Sequence, residues 1–183
     1  VAQFSSILKT IQPHLSSHTI ITDVGSTKTS VIESAKEILG NQYSQFIGGH
    51  PIAGSEKHGA TAAHIDLFKG KNVILTPDQD TSPRAKEVIE VLWKNAGAIV
   101  SNMSHGDHDK IFSTISHLPH LLAFSLVDMI TQRTNANELL KFAASGFKDF
   151  TRIAASSPEM WKDITLASRE FILEDIKYFE NQI

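Results

Sequence analysis

A histidine stands among glycines in the segment 48–56, which reads Gly-Gly-His-Pro-Ile-Ala-Gly-Ser-Glu. Glycine has no Cβ, so this segment can bring its backbone close to a bound molecule, and Pro51 restricts the turn after His50. An imidazole held there can take a proton near neutral pH. The same residues also suit a plain Gly-Pro turn after a strand, so other segments have to decide between the two interpretations.

A second polar segment, Asp23-Val-Gly25-Ser26-Thr-Lys28, lies between a predicted strand and a predicted helix. Ligands of open α/β sheets bind beyond the carboxyl ends of strands, so we expect this segment to share a crevice with the His50 loop. The Ser26 hydroxyl can cap the helix or face a ligand, and capping is the more frequent use. The role of Lys28 stays open.

Two histidines flank a proline in His117-Leu-Pro-His120, inside a long helical pattern. Proline removes a backbone hydrogen bond and kinks a helix, which often marks a bend around a cavity. The spacing of these histidines, repeated in His105 and His108, also suits a metal site. The chain has no cysteine and no His-Glu-x-x-His pattern, so polar ligand contact or a buried core histidine is favoured over metal.

The segment Gly146-Phe-Lys-Asp149-Phe-Thr-Arg152 supplies a candidate anion clamp, because a guanidinium grips carboxylates with two parallel hydrogen bonds. The alternative is a surface pair of Arg152 with Asp149, three residues earlier on one helix. Taken alone, this segment favours the surface pair.

Helices and strands alternate over residues 1–102, which predicts a parallel or mixed α/β sheet. The predicted helices cover 4–15, 29–39 and a segment opening at Ser82-Pro83, and the predicted strands cover 18–24, 46–49, 71–76 and 98–102. Residues 103–183 show only helical patterns: one from Ser104 to about Arg133, shorter ones, and a final helix that begins at Ser156-Ser157-Pro158-Glu159. These two regions are the predicted domains.

The long helical pattern has apolar residues on every side, so it must be surrounded. About 80 residues do not easily enclose it, and we expect a large apolar interface with a second copy of the chain. The alternative is a central helix wrapped by its own neighbours.

Composition excludes several classes of protein. The formal net charge is -3 with scattered basic residues, which disfavours nucleic acid as a partner. The longest apolar run, 118–130, is too short to span a bilayer and no signal peptide is visible, so no membrane association is expected. The absence of cysteine excludes disulfides and is compatible with a cytoplasmic location.

The four segments together resemble the prephenate dehydrogenase family, in the family's order and over essentially the whole chain. The resemblance implies a Rossmann-like nucleotide-binding α/β domain followed by an all-α domain that forms a homodimer. It implies oxidative decarboxylation of prephenate to 4-hydroxyphenylpyruvate in tyrosine biosynthesis, with hydride transfer to NAD or NADP. The alternatives are arogenate dehydrogenase, which acts on the amino analogue, and a non-catalytic dimerisation or regulatory module.

The same resemblance implies roles for individual residues. His50 matches the catalytic histidine that takes the ring hydroxyl proton, and Ser26 matches the serine beside it. Arg152 and His120 match residues that bind the substrate. His117, Asp149 and Trp161 fit the family's substrate site, and Asp23, Gly25 and Ser26 fit its cofactor-binding region.

One family feature does not occur in these 183 residues: the G-x-G-x-x-G turn that holds a cofactor pyrophosphate. The opening Val1-Ala-Gln-Phe4 resembles a point well inside the family's nucleotide domain. We therefore expect the 183-residue chain to be an inactive fragment by itself, retaining the substrate-binding and dimerisation parts.

Overall fold

The computed structural model describes residues 2–54 and 63–182, and these form two compact units, Val1–Ile111 and Phe112–Ile183. Residues Ser55 and Glu56 of the glycine-rich segment lie outside the described residues. The predicted domain boundary at 102–103 falls before helix His105–Phe112, most of which belongs to the first unit. No helix among the described residues is long and apolar enough to cross a membrane.

The first unit is built on a mixed sheet of four strands in the order β1-β2-β3-β4. They are β1 (Ile21–Thr22), β2 (Phe46–Pro51), β3 (Asn72–Thr76) and β4 (Ile99–Asn102). Strand β2 runs parallel to β1 and antiparallel to β3, and β3 runs parallel to β4. The helices of this unit are α1 (Phe4–Ile11), α2 (Thr29–Leu39), α3 (Pro83–Asn95) and α4 (His105–Phe112).

Strand β2 divides the core of this unit into two layers because successive residues of a strand point to opposite faces. Phe46 packs with α1 and α2 in one cluster, whereas Ile47 packs with β3 and α3 in the other. Both side chains are fully buried. His50, four residues after Phe46, emerges where β2 leaves this core and is only partly buried.

Two helix starts confirm their sequence signals. The Ser82 hydroxyl accepts a hydrogen bond from the Ala85 N–H at the start of α3, and the Ser157 hydroxyl accepts one from the Met160 N–H. In both cases a proline occupies the first helical position, where its missing N–H costs nothing.

The strand predicted over 18–24 is the main local difference. Only Ile21–Thr22 pair in β1, and the side chain of Val24 is 62% exposed. The chain turns at Asp23, whose carboxylate accepts hydrogen bonds from the N–H groups of Gly25 and Gly49. A side chain that binds backbone groups in this way competes with further strand pairing.

The second unit is entirely helical in its described part, as predicted. Its helices are α5 (Leu118–Thr131), α6 (Ala136–Lys141), α7 (Ser145–Thr151), α8 (Pro158–Ala167) and α9 (Arg169–Glu180). The pattern predicted as one helix over 104–133 forms α4, a π-helical segment Ser113–His117, and α5. The Leu118 N–H bonds the Ser113 carbonyl five residues back, and this wider turn lies just before Pro119.

Helix α5 is not enclosed by the described part of its own chain. Leu118 and Ala123 are its buried residues, whereas Met129 is 45% exposed. Ile115, in the π-helical segment before it, is 65% exposed. This helix therefore keeps apolar surface that a partner could cover.

The close approach of β1 to β2 requires a glycine at position 49. A Cβ added there would lie 2.7 Å from the Asp23 carbonyl oxygen, which is a backbone atom and cannot move alone. We expect Gly49→Ala to lower the free energy of unfolding by about 1–3 kcal/mol, because the two strands must separate. Chemical denaturation followed by circular dichroism measures this.

The matched control is Gly106→Ala in α4, where an added Cβ meets nothing within 4 Å. Alanine is the better helix former, so this variant should keep or raise the stability. Equal stability of the wild type and Gly49→Ala would contradict the packing constraint.

Candidate functional site

His50 contacts a second histidine on α4. Its Nδ1 lies 2.8 Å from the Nε2 of His108, and the two rings meet edge to face with centroids 5.0 Å apart. His108 is fully buried, whereas His50 is partly exposed. The sheet and α4 thus hold one imidazole at the surface of the unit with a buried imidazole behind it.

The chain of contacts continues from His108 to Asp109. The Nδ1 of His108 lies 2.8 Å from Asp109 Oδ1. The same carboxylate accepts hydrogen bonds from the N–H groups of Lys28 at 2.7 Å and Thr29 at 2.8 Å. Asp109 therefore caps α2 from a distant part of the sequence, and the residues His50, His108 and Asp109 form a chain that ends on this helix start.

These contacts explain the ionisation of Asp109. Burial opposes its negative charge, but hydrogen bonds from His108, from the side chain and N–H of Thr29, and from the Lys28 N–H outweigh burial. The pKa of Asp109 is consequently lowered from its ordinary value, and the carboxylate is charged at neutral pH.

Lys28 is a second buried charge in the same region. Its Nζ forms an ion pair with Asp23 and donates a hydrogen bond to the Gly49 carbonyl oxygen at 2.7 Å. Burial lowers the pKa of Lys28, while the charge and hydrogen bond of Asp23 act in the opposite direction. Asp23 also accepts from the Gly49 N–H at 3.0 Å, so both backbone polar groups of Gly49 are held directly before His50.

Three predicted residues, Asp23, Gly25 and Ser26, lie in the loop between β1 and α2. Asp23 and Gly25 bond each other, and Ser26 is partly buried. The preferred capping role of Ser26 is wrong, because α2 has its cap position at Lys28 and its first N–H groups bind Asp109. Ser26 stands two residues too early to serve them.

The sequence did not predict His108, Asp109 or Lys28 as site residues. The spacing of His105 and His108 suggested only possible metal ligands. In the structure His108 faces His50, and His105 Nδ1 lies 3.3 Å from Thr29 Oγ1. Across residues 2–54 and 63–182, no group of three or more ligating side chains forms a metal site. The available signal was a His-Asp dipeptide on a helix beside a strand-to-helix loop.

A cofactor pyrophosphate does not fit the start of α2. Phosphates bind helix starts through unpaired N–H groups, but the Lys28 and Thr29 N–H groups are bound to Asp109. A phosphate there would also approach the Asp109 carboxylate, and the two negative charges would repel. Cofactor contact by Asp23, Gly25 and Ser26 stays a prediction.

The second unit gathers its own cluster of predicted residues. The His120 ring stacks on Trp161 with centroids 3.6 Å apart and an angle of 16° between planes. His117 meets the same indole edge to face at 6.1 Å. His120 Nδ1 lies 2.8 Å from the Ser116 carbonyl oxygen, which can only accept, so Nδ1 carries the proton. The Nε2 of His120 is then an acceptor.

Arg152 acts on this cluster electrostatically. Burial lowers the pKa of His120, the Ser116 hydrogen bond raises it, and the positive charge of Arg152 lowers it further. His120 is therefore held neutral beside a permanent cation. Asp149 lies exposed on α7 and is not part of the cluster.

Comparisons with known proteins cover both units. Residues 1–102 match the family model for the nucleotide-binding domain of prephenate dehydrogenase, and residues 104–183 match the model for its dimerization domain. The chain is 48% identical over 156 residues to a prephenate dehydrogenase of Bacillus subtilis, covering 85% of this chain and 42% of that relative.

Solved structures agree with these matches. A prephenate dehydrogenase from A. aeolicus, in complex with hydroxyphenyl propionate and NAD+, superposes with a TM-score of 0.91 at 41% identity. The match covers 99% of this chain and 63% of that one. A Synechocystis arogenate dehydrogenase gives a TM-score of 0.82 at 27% identity, covering 99% of this chain and 65% of that one. This chain thus spans only part of the proteins it matches.

The influence of Arg152 on His120 can be measured directly. We expect Arg152→Gln to raise the pKa of His120, because removing a nearby positive charge makes protonation easier. Titration of the His120 ring by NMR provides the measurement. Arg169→Gln removes an equal charge from the exposed start of α9 and should leave this titration unchanged; equal curves for all three proteins would show that Arg152 does not act on His120.

Proposed function

Because this chain belongs to the prephenate dehydrogenase family, we propose that it contributes the substrate-binding and proton-transfer part of an enzyme that oxidatively decarboxylates prephenate to 4-hydroxyphenylpyruvate. The contact of His50 with the buried His108–Asp109 pair carries this proposal. This contact places a partly exposed imidazole in front of a buried carboxylate, with His108 between them, which is the arrangement that a general base needs.

We assign to His50 the uptake and the return of one proton in this reaction. A nicotinamide dinucleotide would supply the hydride acceptor of this reaction. As the ring carbon that bears the hydroxyl is oxidised, His50 takes the hydroxyl proton. The bond from the ring to its carboxylate then breaks, carbon dioxide leaves, and the electron pair completes the aromatic ring. The proton returns to the phenolate oxygen, so His50 ends neutral.

The substrate's carboxylates call for a cation, and we assign that role to Arg152. Its guanidinium is exposed and always charged, which suits two parallel hydrogen bonds to a carboxylate. The neutral His120 beside it offers a hydrogen-bonding edge without a second charge. Trp161 shapes this surface by stacking on His120, and His117 packs against the same indole. Asp149 keeps its proposed role in substrate binding, and Ser26 its proposed role beside the catalytic histidine.

Arogenate is the second candidate substrate, supported by the superposition with an arogenate dehydrogenase. It shares the ring chemistry but carries an amino group in place of the side-chain keto group. The ratio of kcat/KM for the two compounds, measured on the longer enzyme to which we propose this chain contributes, separates the candidates.

We also propose a homodimer formed through the second unit. An apolar groove of about 420 Å³ is lined by residues of α5, α6 and α7, among them Met129, Leu140 and Phe147. Phe142 at its edge is 74% exposed. Apolar surface of this kind, together with the match to a dimerization domain, favours a second copy as its cover.

The proton-transfer role of His50 has a direct kinetic test. In the longer enzyme, His50→Asn should lower kcat by about 10²–10⁴-fold, the usual contribution of a positioned general base, while KM changes little. Steady-state oxidation of prephenate measures both constants. The control His14→Asn changes an exposed histidine and should retain wild-type rates. An unchanged kcat in His50→Asn would remove His50 from proton transfer.

The 183-residue chain alone gives a second test. We expect it to dimerise, to bind nicotinamide dinucleotide weakly or not at all, and to show no dehydrogenase turnover, because its sequence contains no pyrophosphate-binding G-x-G-x-x-G turn. Analytical ultracentrifugation, cofactor titration and a hydride-transfer assay measure the three properties. Steady turnover of prephenate would contradict the expectation.

A further inference from the structure

We propose that His108 and Asp109 are positioning residues that hold His50 as the tautomer protonated on Nδ1, so that its Nε2 is the proton acceptor. The use of that acceptor in turnover rests on the function proposed above. The tautomer itself follows from hydrogen-bond chemistry within the first unit and can be measured without any substrate.

The assignment begins at Asp109. Its carboxylate binds two backbone N–H groups, from Lys28 and Thr29, and a backbone N–H can only donate. An ionised carboxylate can only accept, so the 2.8 Å contact with His108 requires a proton on His108 Nδ1. The lowered pKa of Asp109 agrees with an ionised carboxylate at neutral pH.

The assignment then passes to His50. A neutral His108 protonated on Nδ1 has an acceptor at Nε2. This Nε2 lies 2.8 Å from His50 Nδ1, and two acceptors at that distance would repel. His50 Nδ1 must therefore donate, which leaves the Nε2 of a neutral His50 unprotonated.

A doubly protonated His108 would reverse the last bond, and its surroundings disfavour that state. His108 is fully buried, so a charge on it would lose solvation. Among the described residues, the charged side chains of this network are Lys28, Asp23 and Asp109, and a neutral His108 adds no further buried charge to them.

This arrangement suits repeated proton uptake. When His50 takes a proton on Nε2, its Nδ1 keeps the proton it already donates to His108. No ring has to rotate, and the new positive charge is stabilised through His108 by the Asp109 carboxylate.

The test is the protonation pattern of the histidine rings, read from long-range ¹⁵N–¹H correlation spectra of the 183-residue chain near neutral pH. In the wild type, His50 and His108 should both carry the proton on Nδ1. In Asp109→Leu, His108 Nδ1 loses its acceptor, so His50 and His108 should both become mixtures of the two tautomers. A wild-type His50 protonated on Nε2, or an unchanged pattern in folded Asp109→Leu, would overturn the proposal.

Asp107→Leu is the matched control, since it makes the same change on an exposed position of α4 and should leave both tautomers as in the wild type. If Asp109→Leu does not fold, two variants at 108 replace it. The carbonyl oxygen of His108→Gln can still accept from His50 Nδ1 and should preserve the tautomer, whereas His108→Leu cannot. The same tautomer mixture in both variants would overturn the proposal.

Kinetics of the longer enzyme separate this inference from the proposed function. His108→Leu should lower kcat at least about tenfold with little change in KM, and His108→Gln should recover most of the loss. Wild-type kcat in His108→Leu, alongside a His50→Asn variant that has lost turnover, would overturn the positioning role and leave the function standing. Full turnover in His50→Asn would overturn the function, and the spectra alone would then decide the tautomer.

Discussion

Asp109 carries a buried negative charge, and the architecture around His50 depends on how that charge is satisfied. A buried carboxylate is costly unless several donors surround it. Here the donors are the Lys28 and Thr29 N–H groups and the His108 ring. The same contacts serve the N–H groups at the start of α2, which have no partner within the helix. One carboxylate thus fixes α4 against α2 and orients His108.

Lys28 connects this centre to the sheet. Its backbone N–H donates a hydrogen bond to Asp109, whereas its side chain donates to Asp23 and to the Gly49 carbonyl oxygen. Asp23 in turn accepts a hydrogen bond from the Gly49 N–H. The backbone immediately before His50 is therefore held by two opposite charges, and a glycine is required at position 49 because a side chain would meet the Asp23 backbone. Position and protonation of His50 then depend on two connected networks of hydrogen bonds.

In the second unit, helical geometry places the predicted aromatic side chains next to one another. His117 and His120 are three residues apart, so they lie on one side of the helical segment that joins the π-helical turn to α5. Trp161 on α8 covers that side, and α8 begins where Ser157 caps it. The starts of α5 and α8 and the π-helical turn before Pro119 therefore bring the His120 imidazole and the Trp161 indole together, near the positive charge of Arg152.

The sequence by itself determined the elements whose signals are local: the caps at Ser82 and Ser157, the amphipathic α2, the alternating α/β region and the helical region after it. It also predicted His50, His120 and Arg152 as candidate site residues, because glycine, proline and guanidinium have distinctive chemistry at short spacing, and the family resemblance added Trp161 to these predictions. Tertiary structure alone decided that β1 ends at Thr22, where Asp23 turns to bind backbone groups. It also decided that α2 is capped from 80 residues away in sequence, by Asp109 rather than by the nearby Ser26. The partnership of His50 with His108 likewise spans 58 residues. Such contacts leave no periodic or local signal, since they depend on which surfaces meet when the buried charges find their partners.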